Sequence, residues 1–182
     1  CLRTPRSEWY RQEGGQMEIE LRPEMVNEWK NPSYLARRVK DHQFEASTRM
    51  LFSSKKENEV AGLVLYRKSS IHYQLLRQKN EVILVKTIAE EVNAEKGISE
   101  VVGREACEGK ELVLKVVGDG LEARFFCGPS KEELKQIGDV QDLSNFGDEI
   151  AWGFNGTYIG MYATSSGVES KKKAQFDWFE YK

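Results

Sequence analysis

The chain has 182 residues, 31% of them charged, but 27 Lys and Arg against 29 Asp and Glu leave a formal net charge of only -2. That balance builds no field for nucleic acid or an anionic membrane surface, and no apolar run reaches the roughly 18 residues that span a bilayer as a helix. Three scattered cysteines, Cys1, Cys107 and Cys127, make neither a disulfide framework nor a zinc site, and two histidines, His42 and His72, are too few for a histidine-rich metal centre.

In chain order, the first predicted element follows a Gly14-Gly15 turn, where Met17, Ile19 and Leu21 alternate with Glu18, Glu20 and Arg22 as in a strand with one wet face. Phe44, Ala46, Thr48, Met50 and Phe52 repeat the pattern. Residues 60–66, 71–76 and 82–88 read as further strands, the last opening on the continuous apolar run Val82 to Val85. AEEVNAEK at 89–96 is either a helix or a solvated loop. Leu112 to Val117 and Leu121 to Phe126 flank Gly118-Asp119-Gly120, a tight glycine-rich connection that predicts an antiparallel hairpin. Residues 131–137 are expected to make a short helical turn. Two strand-like runs end the chain, AWGFNGTYIGMYA at 151–163 and FDWFEY at 176–181, the first interrupted by Gly153, Gly156 and Gly160, which mark bends, bulges or close backbone approaches. Many strands at short spacing, with turn chemistry between them, predict an all-β antiparallel sandwich of about ten strands forming a single domain over 1–182.

Asp177 is the polar residue that most needs an account. It alternates with Phe176 and Trp178 and is expected to share a face with Phe179 and Tyr181. A carboxylate among aromatics needs hydrogen bonds, a cationic partner or a hard metal ion, because burying it unpaired costs several kcal/mol. Glu18 and Glu20 sit on one strand face, as the carboxylates of jelly-roll glucanases do. The next residue on that face is Arg22, so a third acid is missing, and nothing else offers the pair of carboxyls about 5 Å apart that retaining hydrolysis uses. Gly118 and Gly120 are turn glycines, with no Lys-Ser or Lys-Thr helix start after them to make a phosphate loop.

Four segments, NPSYLARR at 31–38, AGLVLY at 61–66, AWGFNGTYIGMYA and FDWFEY, together resemble the C-terminal β-sandwich that follows the catalytic propeller in family 43 glycoside hydrolases, the β-xylosidases and α-arabinofuranosidases. The resemblance runs from about residue 2 to 181 and is weakest over 89–108. It implies a concanavalin-A-like jelly roll, here a fragment lacking its first strand and an upstream propeller. By the same resemblance, calcium would be held by Asp177, the Gly15 carbonyl and a first-strand acid upstream of Cys1. Phe154 would border the sugar pocket, with an ordinary core phenylalanine as the alternative; Trp152 and Tyr158 are expected in the core. His42 would be a hydrogen-bonded structural histidine, and Arg37 and Arg38 would brace an intersheet or interdomain contact.

The implied role is accessory. The sandwich would support the propeller and close its pocket on xylo- or arabino-oligosaccharides, without catalysis of its own. The alternative is an independent carbohydrate-binding module using Tyr66 or Tyr73 on a concave sheet face. The expected partners are thus the propeller and a sugar, with no nucleic acid and no membrane. The family context points to a bacterial polysaccharide-degrading system and leaves the compartment open.

Overall fold

Alternating stretches pair into two antiparallel sheets, as their periodicity requires. The computed structural model describes residues 4–5, 8–89, 91–92, 94–153 and 156–182. In chain order the strands are β1 (Tyr10–Glu13), β2 (Gln16–Glu20), β3 (Ser33–Arg38), β4 (Gln43–Leu51), β5 (Val60–Lys68), β6 (Ile71–Gln78) and β7 (Glu81–Ile88). There follow β8 (Ile98–Ala106), β9 (Glu111–Asp119), β10 (Glu122–Gly128), β11 (Lys135–Gln136) and β12 (Gln141–Asp142). A 3₁₀ turn at Ser144–Phe146 and a single helical turn α1 (Asp148–Ala151) precede β13 (Tyr158–Thr164) and β14 (Lys173–Tyr181).

The larger sheet runs β1-β2-β14-β4-β9-β10-β11, with β12 also on β10, and the smaller runs β3-β13-β5-β6-β7-β8. Their facing sides interdigitate around Ile19, Met50, Leu114, Phe125 and Phe176 from one sheet and Leu63, Leu65, Tyr73, Leu75, Leu84 and Ile159 from the other, all 1% exposed or less. Burial on this scale is the dominant favourable term in folding, at about 25 cal/mol per Å² of apolar surface. Arg37 ties the sheets at one end: its guanidinium lies 3.9 Å from the Tyr181 ring centroid, and the Tyr181 hydroxyl accepts from the Lys40 N–H at 3.0 Å. For Arg37 the expected intersheet brace is therefore present.

A second apolar cluster covers the outer face of the smaller sheet, built from Tyr34, Val60, Val64, Leu76, Ile83 and Tyr162, with Val26 folded over it from the 23–32 loop. The hydroxyl of Tyr34 donates to the Val64 carbonyl at 2.9 Å, and that of Tyr162 accepts from the Val26 N–H at 3.2 Å, so both buried phenols are satisfied. Gly160 lies in the middle of this face, paired with Ala36 on one side and Val64 on the other. A Cβ there would collide with the Leu35 carbonyl and Ala36, which is the close backbone approach its position in a strand predicts.

Several expectations need correction. The described residues form fourteen strands, not about ten. Residues 131–137 are bends leading into β11 rather than a helical turn, and the described part of 89–96 is loop. The run at 151–163 is strand only from Tyr158. The hairpin at 118–120 is as predicted, with Asp119 opposite Glu122 and Gly120 at φ 61° in its turn.

Candidate functional site

β14 pairs with β4 through Phe176 opposite Met50, then slips, so that Trp178 stands opposite Arg49 and Phe179 opposite Thr48. Asp177 is the extra residue of this bulge. Phe179 and Tyr181 thus pack on the core side, while Asp177 faces outward, exposed, with its carboxylate 3.6 Å from the Arg49 guanidinium. Asp177 does not share the aromatic face expected for it, because one inserted residue reverses every later side chain. Arg49 also pairs with Glu111, and these three residues line a shallow cavity of about 150 Å³ with Gln16 and Gln175.

Gly15 adjoins that cavity in sequence, at φ 84° in the β1-β2 turn. As a calcium site, the sequence-proposed donors are one carboxylate and one neutral carbonyl, against the six to eight oxygens calcium takes, and a guanidinium already neutralises the carboxylate. Among the described residues no group of three or more His, Cys, Asp or Glu side chains gathers to hold a metal. The described donors do not make a complete calcium shell.

A different constellation occupies the end of β5, where the register slips between Tyr66 and Lys68 as β5 turns into β6. A bulge re-aims side chains. Arg67 is 4% exposed; it pairs with the exposed Asp148 carboxylate and donates to the Gly153 carbonyl at 3.0 Å. Lys68 donates to the Ala151 carbonyl at 3.1 Å, and burial, then the neighbouring Arg67 charge, lower its pKa. Two consecutive cations therefore hold the backbone on either side of Trp152. That residue is in the left-handed region (φ 47°, ψ 116°) and 68% exposed, so its expected place in the core is overturned. Tyr158 is half-buried. Phe154 lies outside the described residues.

The buried histidine is His72, whereas the His42 ring is exposed and its backbone carbonyl accepts from Gly120. His72 Nδ1 lies 3.3 Å from the Lys68 carbonyl and Nε2 lies 3.2 Å from the Gln74 amide nitrogen, a pairing that suits the neutral ring protonated on Nδ1. Burial pushes its pKa down to about 4. Tyr66 stacks on it at 6.0 Å and is half-buried. Tyr73 is wholly buried between Phe125 and Phe146 and donates to the Asp142 carbonyl, so it cannot serve as a sugar platform. The glucanase reading also finds no support: the Lys173 ammonium, 2.6 Å from Glu18, holds that carboxyl below its ordinary pKa, opposite to what a general acid needs.

Comparison with known proteins bears on the whole chain. The profile of the family described as "Beta xylosidase C-terminal Concanavalin A-like domain" matches residues 1–182. A xylosidase/arabinosidase of Butyrivibrio fibrisolvens is 30% identical over 165 residues, 91% of this chain and 31% of that protein. A non-reducing end alpha-L-arabinofuranosidase of Bacteroides ovatus is 29% identical over 157 residues, 84% of this chain and 28% of that protein. Among solved structures, a variant of the GH43 protein BlXynB from Bacillus licheniformis superposes with a TM-score of 0.88 at 22% identity, over 98% of this chain and 35% of that one, a likeness of fold. The chain thus spans about a third of the length of the curated relatives it matches.

Proposed function

Since the chain belongs to the family of β-xylosidase C-terminal concanavalin A-like domains, we propose that it is the accessory sandwich of a family 43 glycoside hydrolase that cleaves xylo- or arabino-oligosaccharides. The carboxylates that do the cleaving would reside on a catalytic propeller. The observation that carries this reading is a family match over the entire chain combined with coverage of only about a third of each enzyme relative. The sandwich contributes rigidity to the propeller and closes the sugar pocket, where excluding water and fixing orientation strengthen discrimination between substrates. Phe154, in the segment just before β13, is the pocket-lining residue in this proposal.

The test is direct. This chain alone is expected to release no nitrophenol from 4-nitrophenyl β-xyloside or α-arabinofuranoside, and the enzyme in which it is joined to a propeller is expected to do so. Phe154→Ala in that enzyme should lower kcat/KM on xylobiose about tenfold or more. Turnover by the chain alone would overturn the accessory role, and unchanged kinetics would remove Phe154 from the pocket.

Calcium at Asp177 is a separate proposal, supported by the cavity that Asp177 shares with Gln16, next to Gly15. Binding would have to displace Arg49. A ligand bound only by the folded state raises its melting temperature by mass action, so a midpoint indifferent to both calcium and chelator would dismiss the metal. For the binding-module alternative, Tyr66 is the remaining aromatic candidate. Retardation of this chain in a xylan affinity gel, abolished by Tyr66→Ala, would favour that reading.

A further inference from the structure

Trp152 combines two features that rarely coexist by accident. Its backbone occupies a region that costs a non-glycine residue of order 1–3 kcal/mol and persists only where the surroundings over-determine it. Its indole is also one of the most exposed large apolar groups among the described residues. The restraint comes from β5: Lys68 holds the carbonyl before Trp152, Arg67 holds the carbonyl after it, and Arg67 also reaches the Asp148 carboxylate at the start of the same turn. Arg67 is buried and its Nε finds no partner, so a costly desolvated cation is spent on this one segment. Such expense is out of proportion for a surface turn with only itself to stabilise.

From this geometry we propose that Arg67 and Lys68 are positioning residues that lock the turn around Trp152, so that its indole face stacks on a sugar ring of the oligosaccharide. The proposal rests on the pocket-closing reading above and adds a second aromatic contact and its support. A flat indole matches the C–H face of a pyranose or furanose, and the polar rim of such a site must accept hydroxyl protons. Exposed Asp148 and Glu149 precede Trp152 in the turn, and exposed Gly153 follows it. That mixture fits a neutral polyhydroxyl ligand better than the apolar centre of a protein docking surface.

In the joined enzyme, with xylobiose as probe, Trp152→Ala should raise KM about tenfold with kcat within twofold, and Trp152→Phe should restore most of the affinity. Asp148→Asn should raise KM about threefold with kcat within twofold, and in this chain it should speed amide exchange over 149–153. Arg67→Lys should act in the same direction. Trp152→Gly relieves the backbone and should melt no lower than wild type, yet match Trp152→Ala in KM. Unchanged KM in Trp152→Ala overturns the proposal. If Phe154→Ala still lowers kcat/KM, the pocket-closing reading survives that failure; if neither variant has an effect, both fall. A Trp152→Ala change that lowers the melting temperature of the joined enzyme but not of this chain, with KM untouched, would make the indole a domain contact and also overturn it.

Discussion

The two sheets turn opposite characters outward. On the larger sheet the outer face is laced with charge pairs across neighbouring strands, among them Lys173 with Glu18, Lys115 with Glu45 and Arg49 with Glu111, and Lys131 from the bend after β10 pairs with Glu180, its ammonium 4.0 Å from the Trp178 ring. On the smaller sheet the outer face carries Tyr34, Val64, Leu76 and Tyr162 at 5% exposure or less, a lid from the 23–32 loop, a buried neutral histidine, and at its rim the buried Arg67. The first face spends its side chains on solubility and cross-strand register. The second behaves as a second core, and the restrained Trp152 turn hangs from its edge.

The largest test of that contrast is Tyr162→Ala. If the outer cluster is a core, the substitution should cost about 3–5 kcal/mol in urea unfolding, as much as Phe125→Ala between the sheets. A loss under about 1 kcal/mol would reduce the cluster to surface decoration. Next in size is the response of His72 to acid. In the unfolded chain it takes up a proton near pH 6.5, in the folded protein only near pH 4, so stability is full above pH 6.5 and falls as pH drops through that window. Between pH 7 and pH 5 this amounts to about 2 kcal/mol, and His72→Gln should flatten the pH dependence of the melting temperature by a corresponding amount. Smallest is Lys173→Ala on the charged face, expected to change stability by less than about 1 kcal/mol and by still less in high salt. A larger effect would mean that the charge lattice is structural after all.

The two-sheet architecture was legible because most strands keep strict alternation against a buried face, as Phe44 to Phe52 do. β8 is not legible in the sequence because it is an edge strand: Ile98 and Val101 are exposed, so alternation against a buried face does not mark it. Alternation puts Asp177 on the aromatic face because a strict period of two cannot register a bulge, and one extra residue undoes it. Arg67 reads in the sequence as one more solvated charge at a strand end, since only the slip beside it turns the guanidinium inward. The core is the expected place for Trp152 because indoles are highly buried on average. A left-handed tryptophan held from both sides leaves no signature beyond the glycine that follows it.

One consequence of the topology concerns synthesis. β14 lies between β2 and β4, and β13 between β3 and β5, so each sheet receives a central strand from the carboxyl-terminal quarter of the chain. A nascent polypeptide must therefore carry an unfilled gap in the smaller sheet until residue 164 has cleared the ribosome, and one in the larger sheet until residue 181 has, each with open strand edges on either side. Such edges invite pairing with the wrong chain. Slowing translation over the codons for residues 152–182 should accordingly prolong the aggregation-prone interval, whereas slowing it earlier should matter far less.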